Sequence, residues 1–247
     1  MKIESLAIQD VGGISSLKLE NLNPYLNIIC GVNGIGKTNI IESIAACFTT
    51  YSQNELKKKA DSNSGRIELN MTDINKEFKK IEYIVDAFYP RESNGNNNHY
   101  TLYQFWENYS KFLMYFKVDR FFSYQRIDSL KIHDDINEHT KSNLNGVSRN
   151  NLKDWFIRNE LLSKQAYTAD VNKNNIGYAK EFITLLNSNY SFSSIKQDME
   201  IYINSPTGEI PYEYLSSGFK SCLFIMWGII REIQIRFPDI EAKDFNG

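Results

Sequence analysis

The octapeptide Gly31-Val32-Asn33-Gly34-Ile35-Gly36-Lys37-Thr38 constrains the fold of this chain more than any other stretch. Its glycines allow left-handed turns that aim successive backbone N–H groups into one concavity. The string matches G-x-x-x-x-G-K-[ST] at every fixed position, which arises by chance in roughly one chain of this length in a hundred. Residues 26–30 (LNIIC), after Pro24, have the length and apolar character of a buried strand. From residue 38 to 50, Ile40, Ile41, Ile44, Ala45 and Phe48 recur at helical spacing. Strand, glycine loop and helix in that order form a phosphate cradle, because the helix adds the positive end of its dipole to the loop N–H groups. In such a cradle Lys37 reaches β- and γ-phosphates and the Thr38 hydroxyl ligates Mg²⁺.

Composition agrees with a folded α/β domain. The 247 residues carry 42% hydrophobic side chains, enough for a continuous core, which excludes wholesale disorder and a small disulfide scaffold. With 28 basic against 30 acidic residues the net charge is -2, so any nucleic acid would need a local patch or a partner. Cys30, Cys47 and Cys222 are too scattered for a zinc site or a paired framework, and a reducing cytoplasm is the expected home. Lys2 and Glu4 break any signal-peptide core, and the apolar run at residues 222–230 is far shorter than the roughly 20 residues of a membrane span. No membrane association is expected.

Residues 1–30 read as strand, turn, strand, strand, punctuated by Gly12-Gly13 and Asn23-Pro24. Residues 66–71, 80–88 and 199–204 are strand-like, with a turn at 206–208. Residues 152–189 are helical with a break near 173–177, and 219–237 form a helix stopped by Pro238. The lysine run at residues 57–59 reads as a solvated loop and residues 93–98 as a mobile loop tip.

Asn33-Gly34-x-Gly36-Lys37-Thr38-Asn39, close to the amino terminus after two short strands, resembles the ABC-type ATPase heads of the RecF and structural-maintenance-of-chromosomes group. A second motif extends the resemblance: Leu215-Ser216-Ser217-Gly218 stands directly before the apolar helix and matches that group's Leu-Ser-x-Gly signature. The resemblance implies ATP and Mg²⁺ as cofactors, held by Asn33, Gly34, Ile35, Gly36, Lys37, Thr38 and Asn39. It also implies a homodimer in which Ser216, Ser217 and Gly218 act in trans on nucleotide held by the other head. Phe219 departs from the pattern, since an acidic or amide residue usually follows the signature glycine. Gln125, with Arg126, is the candidate for a loop that orients water or Mg²⁺, beside Lys37 as a catalytic residue. The Asp154-Trp155-Phe156-x-x-x-Glu160 stretch resembles a narrower group, prokaryotic AAA-type and overcoming-lysogenization-defect-like ATPases, including the ATPase subunits of Septu and retron anti-phage systems. Trp155 and Phe156 are expected in a core or a dimer contact.

The expected architecture is an α/β P-loop NTPase head of the ABC/SMC type, an antiparallel lobe plus a mixed sheet, with residues 1–247 as its N-terminal part and about 130–195 as a helical insertion. Hydrolysis in this group needs an apolar strand ending in Asp-Glu after the signature helix. No such strand follows Pro238, so the chain is expected to stop inside its domain, or to be completed by another polypeptide. Tyr83-Ile84-Val85-Asp86 is the nearest apolar-to-acid run and reads as an ordinary strand, and no histidine suggests a replacement base. The expected function is an ATP-binding and ATP-hydrolysing head that drives or gates a nuclease or nucleic acid in phage defence or genome maintenance. Two alternatives stand beside it: a nucleotide sensor without turnover, and a RecF-like DNA-repair ATPase with salt-sensitive DNA binding.

Overall fold

Period-two alternation builds the first sheet. Strand β1 (Lys2–Val11) sends Leu6, Ile8 and Val11 inward, β3 (Gly65–Thr72) sends Ile67, Leu69 and Met71, and β4 (Phe78–Val85) sends Ile81, Tyr83 and Val85. With β2 (Ile14–Glu20) they form an antiparallel sheet in the order β2-β1-β3-β4. A computed structural model describes residues 1–49, 56–90, 92, 94, 99–117, 127, 147 and 149–245. These divide into two units, Met1–Tyr115 and the described residues from Phe116 onward.

In the first unit, helix α1 (Lys37–Ala46) and helix α2 (His99–Tyr109) pack on the inner face of the sheet. Phe48 meets Phe105 edge-on at 5.2 Å between ring centroids. Each large apolar side chain buried here contributes about 1.5–3 kcal/mol. Burial pushes the Cys47 thiol up to about 12, which leaves it unreactive. On the outer face Glu68 stands directly opposite Glu82, a repulsive pairing relieved by Lys80 on Glu68 at 2.8 Å and Arg66 on Glu82 at 2.7 Å.

The β3–β4 connection is tied by Asp73. Its Oδ1 accepts the N–H groups of Asn75 (2.8 Å) and Glu77 (2.9 Å), and its Oδ2 accepts the Tyr109 hydroxyl at 3.0 Å.

The second unit holds α3 (Arg149–Ser163), α4 (Asp170–Leu186), α5 (Ser217–Arg236) and an antiparallel sheet of β5 (Ser191–Ile195), β6 (Ile201–Ser205) and β7 (Gly208–Pro211). Its core is an aromatic column: Trp227 stacks on Phe156 at 4.3 Å and on Tyr212 at 5.4 Å. Trp155 Nε1 donates to Gln234 Oε1 (3.2 Å), Gln234 Nε2 to Asn159 Oδ1 (2.9 Å), and Asn159 Nδ2 to the Trp155 carbonyl (2.8 Å), a closed polar ring between α3 and α5. Glu160 pairs with Lys180 of α4 at 2.8 Å. The Trp-Phe-x-x-x-Glu stretch therefore holds three helices together.

Several expectations change. Residues 26–30 are not a strand: Leu26 and Ile28 are exposed, and no strand pairs with them among the described residues. The approach to them is shaped instead by Asn23 Oδ1, which accepts the N–H groups of Tyr25 (2.8 Å) and Leu26 (3.2 Å). Local apolar content cannot supply the ladder partner a strand needs. The helix break lies at 164–169, not 173–177; Gly177 sits inside α4, and Thr168 Oγ1 closes the break on the Leu162 carbonyl at 2.6 Å. Asn94 is buried, accepting the N–H groups of Asp86 and Ala87, both at 2.9 Å, so this residue of the supposed loop tip is pinned, while residues 93 and 95–98 lie outside the described residues. The α/β class itself is as expected, and among the described residues both sheets are antiparallel throughout.

The N–H of Glu77, then the Tyr109 hydroxyl and the N–H of Asn75, hold the Asp73 carboxyl below its ordinary range, against the opposing effect of burial. A depressed folded-state value gives stability that is present above about pH 4, the ordinary aspartate value, and is lost as pH falls through the folded value. Asp73→Asn should therefore lower the melting temperature near pH 7 and leave it close to wild type near pH 3, as read by thermal denaturation across that range.

Candidate functional site

Gly34 (φ +85°) and Gly36 (φ +98°) both occupy the left-handed region, where a side chain would be strained. They throw residues 31–35 out as an exposed loop. Lys37, the first residue of α1, folds back on that loop: its Nζ donates to the Gly31 and Val32 carbonyls, both at 2.8 Å. An ammonium has three N–H groups, so two are committed to shaping the loop. No side chain caps α1 at Gly36, and its first backbone bond is from Ile40 N–H to the Gly36 carbonyl at 3.1 Å. The N–H groups of Lys37, Thr38 and Asn39 precede that bond, with Thr38 exposed beside them. An open helix end, a cation and inverted glycines are what a phosphate chain requires.

The loop is braced from one side by the β1–β2 turn. A Cβ on Gly12 (φ +56°) would lie 2.0 Å from Asn39 Nδ2, and one on Gly36 would lie 3.0 Å from Ile14 Cγ1. Asn39, expected to touch nucleotide, thus packs its amide against this turn. Asn33 and Ile35 are exposed on the loop.

Beside the loop lies a cleft of about 550 Å³, walled by the start of β2, by Ile28–Cys30 and by Lys37 and Ile40. That size suits a nucleotide-sized ligand. Ser15 and Ser16 supply polar groups to a largely apolar wall. Sequence reasoning missed these residues, and only the Gly12-Gly13 pair hinted that a turn was needed there. It also misplaced the lysine run. Gly12 N–H donates to the Lys57 carbonyl (2.7 Å) and Lys59 N–H to the Asp10 carbonyl (2.9 Å), so the run lies along the end of β1. Lys59 Nζ then reaches Ser15 Oγ at 2.8 Å, at the rim of the cleft.

In the second unit, Ser216 is the N-cap of α5 and its Oγ accepts the Phe219 N–H at 3.2 Å. Ser216, Ser217 and Gly218 are exposed, while Phe219 packs on Tyr190 at 5.3 Å. Phe219 is thus spent on the core, which accounts for its departure from the usual acid or amide. Gln125, Arg126 and the preceding residues 121–124 lie outside the described residues. Among the described residues no group of three or more His, Cys, Asp or Glu is placed to hold a metal ion, and no helix is long and apolar enough to cross a membrane.

Comparison with known proteins now places the chain. The family model described as "AAA domain" matches residues 5–208. The chain belongs to this AAA domain family. Septu protein PtuA of Bacillus thuringiensis is 34% identical over 255 aligned residues, covering 99% of this chain and 62% of that protein's length. The solved structure of the recombination mediator RecF with ATP matches 98% of this AAA-domain chain and 83% of its own, with 14% identity and a TM-score of 0.49.

The brace can be tested directly. Gly12→Ala should cost about 1–2 kcal/mol through its positive φ and the Asn39 clash. Adding Asn39→Ala should recover only the steric share, as read by denaturant unfolding of the single and double variants.

Proposed function

We propose that this AAA-domain chain is the ATP-binding head of a Septu-type phage-defence ATPase, which engages a second copy across Mg-ATP and thereby gates a partner nuclease. The observation that carries the reading is the Lys37 ammonium seated on the Gly31 and Val32 carbonyls at the open end of α1. The third N–H of Lys37 and the N–H groups at the start of α1 take the β- and γ-phosphates. The exposed Thr38 hydroxyl fits an Mg²⁺ ion, which when bound offsets charge between phosphate oxygens. The apolar wall of the cleft takes the base. Ser216, Ser217 and Gly218 meet the γ-phosphate held by the second copy, and Gln125 orients the attacking water. The helical stretch at about 130–195 is an insertion within the head. The kinship with PtuA supports the defence setting; in this reading the head works as a cytoplasmic dimer, and any nucleic acid is met through the partner.

A second reading is a nucleotide sensor without turnover. It is favoured by one observation: no residue lining the cleft carries a carboxylate to polarise water, among the described residues.

Titration with a fluorescent ATP analogue and Mg²⁺ tests the first claim. Lys37→Ala should weaken binding by about ten- to a hundredfold, the loss of a charge-assisted contact, and unchanged affinity would defeat the phosphate-loop assignment. Phosphate release separates the readings, because turnover that depends on Lys37 in this 247-residue chain would rule out the sensor.

A further inference from the structure

The short 3₁₀ turn Tyr212–Tyr214, which leads into the signature, is clamped by two lysines from different helices. Lys153 of α3 is 6% exposed and pairs with Glu200 at 2.7 Å and with the Glu213 carboxylate at 3.5 Å. Lys220, in the first turns of α5, is 9% exposed and donates to the main-chain carbonyl of Glu213 at 2.8 Å. Glu213 thus meets one cation through its side chain and another through its backbone, three residues ahead of Ser216.

Packing alone already locates this turn, since Tyr212 stacks on Trp227 and Leu215 is buried. Buried ion pairs are a weak source of stability and a better source of register, because each charge is costly unless its partner stands in one place. The register at issue is that of the N-cap. Ser216 Oγ accepts the Phe219 N–H, and an accepting hydroxyl keeps its own O–H to donate. The chain enters α5 directly from the turn at residues 212–214, so the placement of the Ser216 hydroxyl and of the N–H groups of Ser217 and Gly218 depends on how that turn is seated.

We propose that Lys153 and Lys220 are positioning residues for the signature: through Glu213 they fix the aim of Ser216, Ser217 and Gly218 at nucleotide held by the second copy. The proposal rests on the reading of residues 215–218 as the contact made in trans. It assigns α3 a part in the composite site that its sequence does not announce.

The test uses the full-length protein and three variants, Lys153→Met, Glu213→Gln and the charge-keeping Lys153→Arg, with Ser217→Arg as control. Sedimentation velocity reads ATP-driven self-association and a fluorescent ATP analogue reads the phosphate loop. Lys153→Met and Glu213→Gln should weaken ATP-driven association by about ten- to a hundredfold while affinity for the analogue stays within about twofold, and Lys153→Arg should restore most of the loss. Glu213→Gln keeps the size and the backbone carbonyl, so it carries the test if Lys153→Met does not fold. Wild-type association in both variants, or parallel loss of association and analogue binding, overturns the proposal. Should Ser217→Arg abolish association while Lys153→Met and Glu213→Gln do not, positioning alone fails. Association untouched by Ser217→Arg removes the trans reading, and this proposal with it.

Discussion

A loop that turns its own N–H groups outward gives up the backbone bonds that would hold its shape, so it must be held from outside. Every notable contact around residues 31–38 answers that requirement. Lys37 ties the loop carbonyls to α1, Ile14 leaves no room beyond Gly36 for a side chain, and Asn39 fills the space against Gly12. The turn that does the bracing is itself stapled, because the 57–59 segment bonds to it from the far side of the chain. The four-stranded sheet is therefore more than a platform, since its register delivers Gly12 and Ile14 to the places where they press on the loop.

What was legible in the sequence was what is local. The glycine spacing, the lysine and the following helix are fixed by neighbours in the chain, and so are the serine cap and Pro238 at the two ends of α5. What was not legible depends on remote partners. Residues 26–30 have the composition of a core strand and yet stand exposed, because no ladder partner is present among the described residues. The lysine run looked wet and is instead an added edge to β1, a pairing between segments about 45 residues apart that no local pattern encodes. Strand β5 (SFSSI) was overlooked because its serines mimic a loop, and they serve there as partners for Glu209, with Ser193 Oγ donating at 2.6 Å. The polar rim of the cleft escaped for a similar reason, since Ser15 and Ser16 carry no motif.

The second unit shows how one short stretch can satisfy two demands. On α3, Trp155, Phe156 and Asn159 tie the helix to α5 through a stack and a polar ring and Glu160 ties it to α4, while Lys153, two residues before Trp155, pairs with Glu213 on the approach to residues 215–218. Structural and functional pressures on this helix are therefore hard to separate by truncation to alanine, and substitutions that keep shape while changing charge are the more informative kind.

The cysteines, unremarkable as chemistry, have a practical consequence. Cys47 is sealed in the core, whereas Cys30 and Cys222 are exposed. One stands immediately before the phosphate loop and the other four residues past Gly218. Within this chain, a single round of mild alkylation would thus place one probe beside each of the two motifs and none in the core. The chain thus carries a matched pair of handles, one beside each motif, for distance-sensitive spectroscopy.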